Sequence, residues 1–376
     1  MRIRRIDTDQ RKDVRKFIEF PFDLYRNHPG WVPTLDSEMR LVLNKRKHPF
    51  FLHSPGDFFI VESEGQVIGR IAVLKNNNYC SHHGENVAFH YYLDTIDDLQ
   101  VSNLLFSAYR DWALANECDQ LYGPRGFTRA SGIGCLVEGF EYRAAVGIPY
   151  NFEYYSKHYD HFGFQKTTDY YSTYLDASFQ QPEKVRLIAQ KVAEKGNFKV
   201  INFRSKSELR PWVKEIEKVH EDAFKNNPGY YPSTPEEFEL QAKSIIQIAD
   251  PKLIKIIMAG DEPAGFIISY PDVAAAFQRT GGKLFPFGWI DILHEMRTAD
   301  VISMNGVGLL PKYQGLGANV LLYTELEKVL RARPGLSTAE LIQVDERNHR
   351  SLSDMESLGV KWVKTHRTYQ LCVVGV

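Results

Sequence analysis

The stretch NGVGLLPKYQGLGANVLLYTELEKV (Asn305–Val329) changes character at its middle. Up to Leu310 it has the apolar run of a strand. After Gly317, Leu322, Leu326, Val329 and Leu330 recur at helical spacing. The turn between them holds Pro311, Gly315 and Gly317. A helix that starts on such a turn presents unpaired N–H groups and a positive dipole end, and the glycines let a partner come close. That is an anion site suited to phosphate. The dinucleotide pattern GxGxxG and a P-loop ending in Gly-Lys-Ser/Thr are both absent.

Outward from this stretch the same grammar occurs twice. In the second half come the strand FKVINF, the helical segments KSELRPWVKEIEKVHEDAF and TPEEFELQAKSIIQIAD, and the hairpin KLIKIIMAGDEPAGFIISY. After the strand, turn and helix follow the strand AELIQV, the helix HRSLSDMESLG and a closing strand in VKWVKTHRTYQLCVV. The first half has a helix over Val14–Phe20, a hairpin over Asp57–Leu74 and the strand NVAFHYYLD. The helix DDLQVSNLLFSAYRDWALAN, the short strand DQLYGP, a helix near Phe152–Phe162 and the strand FQKTTDYYSTYL complete it. Gly69 and Gly265 sit in the second arm of each hairpin. Gly163 and Gly359 each follow the last helix, at the same interval. An internal duplication is expected, with domains 1–180 and 181–376 and a boundary in the polar DASFQQPEK (Asp176–Lys184). The fold class is α/β: two tandem domains, each a mixed, mostly antiparallel sheet flanked by helices.

The segment LLPKYQGLG between strand and helix resembles the coenzyme A motif Q/R-x-x-G-x-G/A of the GNAT superfamily of acyl-CoA N-acyltransferases. Gln314 takes its first position and Gly317 its glycine, while Asn319 stands where Gly or Ala is usual. Downstream, ERNHRSLSDMESLGV is similar to the family's Asn-helix pattern at Asn348, Glu356, Leu358 and Gly359. The resemblance implies acetyl-CoA or another acyl-CoA as substrate, held by Val307, Leu309, Gln314, Gly315, Leu316, Gly317, Ala318, Asn319 and Asn348. It implies that a free amine attacks the thioester, with the Leu309 N–H donating to the oxyanion. Base candidates are Asp345 and, on the helix flanking the acceptor side, His220, Glu221 and Asp222. Met355 occupies the place of a Tyr that often protonates the departing thiolate. In the first half, HYYLDTIDDLQVSN lacks the glycine turn, and Asp94, Asp97 and Asp98 would repel a pyrophosphate. The first domain is therefore expected to be a degenerate copy, with one cofactor site per chain.

The chain has 376 residues, 43% hydrophobic and 25% charged, with a formal net charge of -1. That balance gives no basic field for nucleic acid. The basic N-terminus has no apolar segment behind it, and no apolar run reaches the roughly 20 residues of a membrane span. A cytoplasmic protein without nucleic-acid or membrane partners is expected. Cys80, Cys118, Cys135 and Cys372 have no metal or disulfide spacing and are expected to be buried thiols. Asp291, His294 and Glu295 are too weakly patterned for a metal site. The aromatic stretch Lys283–Asp300 either covers the acceptor groove or packs the two halves together. Three functions stand: an acyl-CoA-dependent N-acyltransferase, most simply an acetyltransferase, on the amine of a small molecule or peptide; an aminoacyl-tRNA-dependent transferase; or a non-catalytic coenzyme A-binding protein.

Overall fold

The computed structural model describes residues 1–176 and 178–373. Ala177 of the expected boundary stretch and the last three residues of the expected second domain lie outside them. The strands, in chain order, are β1 (Arg2–Arg5), β2 (Gly56–Ser63), β3 (Gln66–Leu74), β4 (Val87–Thr95), β5 (Gln120–Gly123), β6 (Cys135–Glu138), β7 (Gln165–Asp176), β8 (Lys199–Asn202), β9 (Ile254–Ala259), β10 (Glu262–Pro271), β11 (Val301–Leu309), β12 (Thr338–Asp345) and β13 (Lys364–Cys372). The chain forms two compact units. One comprises Met1–Tyr170, Ala274–Trp289 and the chain from Lys364; the other comprises Tyr171–Val273 and Ile290–Val363.

In the first unit the sheet order is β1-β2-β3-β4-β5-β13, with β4 and β5 parallel and the other neighbours antiparallel. The β2–β3 hairpin turns on Glu64 and Gly65, both at positive φ (52° and 81°), which suits the twist of the strands it joins. Alternation along β3 sends Ile71 and Val73 to one face and Ala72 and Leu74 to the other. The first face is covered by the helix Leu99–Ala115 through Val101, Leu105, Tyr109 and Trp112. The second is covered by the helix Arg11–Leu24 through Val14, Phe17 and Ile18.

The second unit repeats this layout with the order β12-β11-β10-β9-β8, again with one parallel pair, β11 and β12. The helix Ala318–Arg331 packs Leu322 and Leu326 on one face; the helix Val213–Phe224 packs Val219 on the other. Gly163 and Gly359 follow their helices at φ 95° and 75°, the left-handed stop that glycine permits.

The units are not the contiguous halves 1–180 and 181–376. The closing strand β13 hydrogen-bonds to β5, with Tyr369 opposite Gly123, and to β6, so it belongs to the first unit. The segment Ala274–Trp289 also belongs there: Asp36 donates its N–H to Gly282 O at 2.9 Å, and Gln278 Nε2 donates to Pro29 O and Trp31 O, each at 2.8 Å. Phe285 is 82% and Phe287 72% exposed. The helix Glu183–Lys195 was not foreseen, although Pro182 before it and Gly196 after it (φ 69°) bracket its apolar Val185 and Ala189. Cys80, Cys118 and Cys135 are buried, but Cys372 is exposed. Among the described residues no helix is long and apolar enough to cross a membrane.

In the first unit Arg70 and Asp94 form a buried ion pair at 2.7 Å, and Tyr25 donates its hydroxyl to the same carboxylate at 3.0 Å. Asp94 is thus committed to the core and does not act at the start of the helix Leu99–Ala115, as the sequence suggested. Replacing it leaves a guanidinium buried without its counter-charge. Asp94→Ala is expected to destabilise the protein by about 3–5 kcal/mol, measured as the shift in urea unfolding.

Candidate functional site

The site begins with a ladder that stops early. In the second unit β11 pairs with β12 only from Val301/Thr338 to Met304/Leu341. On its other side β11 stays paired with β10 to Leu309, through a bulge: Ile268 faces Gly306 and Ser269 faces Met304, so Asn305 is the extra residue. Past Met304 and Leu341 the parallel strands separate. On β12, Gln343 sits at φ 49° and donates its N–H to Ser172 Oγ at 2.9 Å.

Register decides which backbone groups line that gap. Leu310 donates its N–H to Ala264 O at 2.9 Å. Hydrogen-bonded and non-bonded pairs alternate in an antiparallel ladder, so the pairs Gly265/Leu309 and Ile267/Val307 are non-bonded. The N–H and C=O groups of Val307 and Leu309 therefore point away from β10, into the gap. The Leu309 carbonyl is satisfied by Gln314 Nε2 at 2.9 Å. Its N–H and both groups of Val307 remain directed at the gap. Gly265 keeps the ladder this tight, since a Cβ there would lie 2.3 Å from Leu309 Cδ2.

The glycine turn closes one end of the gap. Gly315 and Gly317 take φ 77° and 84°, and the helix Ala318–Arg331 starts at once, with Leu321 N–H on Gly317 O. Its first-turn N–H groups have no acceptor within the helix; Leu316 just before them is exposed, while Ala318 is buried. A Cβ on Gly317 would lie 2.6 Å from Val192 Cγ2 on the helix Glu183–Lys195. Asn319 donates from Nδ2 to Asp354 Oδ2 at 2.8 Å, tying the motif helix to the helix His349–Ser357. Burial pushes the Asp354 carboxyl above its ordinary range; the Asn319 bond offsets this in part. Asn348 caps its own helix, accepting the Ser351 N–H at 3.1 Å.

The expected bases are not gathered in one place. Asp345 is held by Arg347, through its backbone N–H at 2.8 Å and its guanidinium at 2.7 and 3.0 Å. Asp222 pairs with Lys225 at 3.1 Å near the surface. Glu221 accepts the Tyr230 hydroxyl. His220 stacks on Phe266 with ring centroids 5.8 Å apart, on the helix that covers β10 and β11. Met355 is buried and packs with Leu358 in the core, with no proton to give.

The first unit has the same gap but fills it itself. Its parallel ladder ends at Phe89/Tyr122, Ile96 donates its N–H to Ile68 O, and Gly69 faces Thr95. Thr95 thus stands where Leu309 stands in the second unit. Its N–H donates to the Tyr155 hydroxyl at 2.9 Å, and its carbonyl accepts the Tyr154 hydroxyl at 2.6 Å. The start of its helix is capped by Asp98, which accepts the Gln100 N–H at 2.8 Å. The crowd of tyrosines in YNFEYYSKHYDHFGF includes the two that occupy this backbone.

A family model described as Acetyltransferase (GNAT) family matches residues 215–360, the stretch that builds the second-unit site. Among solved structures, a tandem GNAT protein from the clavulanic acid biosynthesis pathway, solved without AcCoA, superposes with a TM-score of 0.59. It has 12% identity and covers 100% of this chain and 99% of its own. Residues 215–360 thus match the GNAT family, and the whole chain shares the fold of a tandem GNAT protein. Two curated relatives span nearly its whole length. Protein YghO of Escherichia coli (strain K12) is 26% identical over 368 residues, 96% of this chain and 93% of that protein. A bacterial ceramide synthase of Caulobacter vibrioides is 26% identical over 366 residues, 95% and 94% of the two chains.

Two outcomes test this geometry. Gly317→Ala should lower stability by about 1–3 kcal/mol, from strain at positive φ and contact with Val192. Val192→Ala in the same chain should recover part of the loss in urea unfolding. A carboxyl whose folded pKa is raised contributes stability that is full below its unfolded value and is lost as pH rises through the folded one. Asp354→Asn, which keeps an acceptor for Asn319, should therefore raise the thermal midpoint more at neutral pH than below the ordinary Asp range of ~3.9.

Proposed function

We propose that the chain is an acyl-CoA-dependent N-acyltransferase whose single cofactor site lies in the second unit. The observation that carries this is the unpaired edge of β11 beside the glycine turn. The edge Val307–Leu309 offers the backbone N–H and C=O groups that a pantetheine arm pairs with, as an added strand would. The turn Gln314–Gly317 and the start of the helix Ala318–Arg331 receive the pyrophosphate. The Leu309 N–H then donates to the thioester oxygen as negative charge develops there. The amine nitrogen attacks the carbonyl carbon, the C–N bond forms, and the C–S bond breaks. The electron pair leaves on sulfur as a thiolate. A thiol titrates near ~8.5, so it departs without an acid at Met355.

The amine must shed a proton. His220 is the candidate best suited by position, since its helix covers the strand that carries Leu309; Asp345 and Asp222 are held in ion pairs with Arg347 and Lys225. Acetyl transfer to a small amine or peptide is the simplest form of the reaction. The relative named for ceramide, an amide of a fatty acid with a long-chain amino alcohol, favours a fatty acyl donor and a lipid-like amine. The first unit, with Thr95 closed off by Tyr154 and Tyr155, binds no cofactor in this account.

Leu316 is 54% exposed at the turn, so it tolerates an acid without disturbing the core. Leu316→Asp should weaken coenzyme A binding roughly three- to tenfold by repelling the pyrophosphate, with the effect shrinking as salt is raised. Calorimetric titration reads it. Equal affinity for wild type and variant at low salt would place the pyrophosphate elsewhere. Release of free thiol from acyl-CoA with a panel of amines, long-chain amino alcohols included, tests turnover; no release with any of them would leave a coenzyme A-binding protein.

A further inference from the structure

The second unit contains a cavity of ≈ 220 Å³ that the transfer chemistry leaves unused. Its walls include Met304, Tyr323, Leu326, Leu341, Met355 and Leu358. An apolar cavity of about 150 Å³ already accommodates a benzene ring and stays dry without it. Charged groups at its rim are already committed. Arg331 pairs with Glu327 at 2.7 Å, and Arg333 pairs with Asp250 at 3.0 Å. The cavity therefore offers no unpaired cation to a carboxylate or phosphate and suits a hydrocarbon.

Its position names the hydrocarbon. Met304 and Leu341 are the last pair of the parallel ladder, and both line the cavity. The gap between β11 and β12 opens from that pair, and the Leu309 N–H proposed for the thioester lies five residues further on, roughly 16 Å along the strand, a span that a long acyl chain covers. The floor of the gap is thus a wall of the cavity. From this continuity we propose that the cavity receives the distal carbons of the acyl chain of an acyl-CoA, and that Met304, Leu341 and Met355 set the chain length accepted. The inference rests on the acyl-CoA site proposed above. It explains what Met355 does: a thioether on this wall packs against alkyl carbon, and its flexible side chain adapts to the end of a chain.

The test is a titration of the whole protein with coenzyme A, acetyl-CoA, butyryl-CoA, octanoyl-CoA and palmitoyl-CoA by calorimetry. Affinity should rise by up to roughly fourfold per methylene as the chain enters the cavity, then level off once it is filled. Leu336→Trp, which places a larger ring on the cavity wall, should bring that plateau to a shorter chain. A dodecanoyl-CoA carrying a photoreactive diazirine at its terminal carbon should label wild-type peptides containing Met304, Leu341 or Met355, which keeps the test independent of how the variant folds. Tight binding of coenzyme A and acetyl-CoA with no gain for palmitoyl-CoA, or labelling confined to other peptides, would overturn the cavity assignment and leave the cofactor site standing. No binding of coenzyme A itself would overturn the reading beneath it.

Discussion

One backbone group, the N–H of Leu309, defines the second unit. A sheet normally consumes such donors, since an unpaired polar group away from water costs free energy. Here the parallel ladder ends at Met304/Leu341 while the antiparallel ladder to β10 runs on, and alternation turns the Leu309 N–H toward the gap. The bulge at Asn305, the contact of Gly265 with Leu309 and the bond from Gln314 to the Leu309 carbonyl all fix that orientation. The glycine turn then brings a helix start to the end of the same edge. Strand donors and helix donors become parts of one polar surface.

The first unit shows the same layout with its strand edge satisfied by its own side chains. It keeps the hairpin, the bulged third strand and the parallel ladder that stops short. At the position matching Leu309, Thr95 is satisfied on both N–H and C=O by tyrosine hydroxyls. Asp98 occupies the helix start that a phosphate would otherwise use. Two units of common design thus differ in how the exposed backbone is satisfied: internally by side chains in one, and in the other, in our account, by a ligand.

Much of this was legible in the sequence because it is local. Glycines at the turn, at the helix stops and in the hairpin arms mark positive φ or close approach, and they fell where expected. The gap was not legible, since a bulge at Asn305 has no signature within one strand and the end of a ladder is a property of two. The membership of β13 was hidden for the same reason: its partners β5 and β6 lie more than two hundred residues away, and its own pattern is that of any half-buried strand. Asn319 looked like a departure from a motif. It proves to be a tie to Asp354, a partner that spacing alone does not reveal. Asp345 and Asp222 were chosen for their place along the chain, but neighbouring Arg347 and Lys225 hold them. Among the tyrosines of the first half, Tyr155 is buried in the core and Tyr154 packs against it, and both also hydrogen-bond the strand at Thr95.

The most direct test is a crystal structure with a non-reactive thioether analogue of acyl-CoA that retains the carbonyl. The account predicts one analogue per chain, its pyrophosphate on Gln314–Gly317 and its carbonyl oxygen about 3 Å from the Leu309 nitrogen. An analogue seated at Thr95 in the first unit, or one whose carbonyl faces away from Leu309, would contradict it.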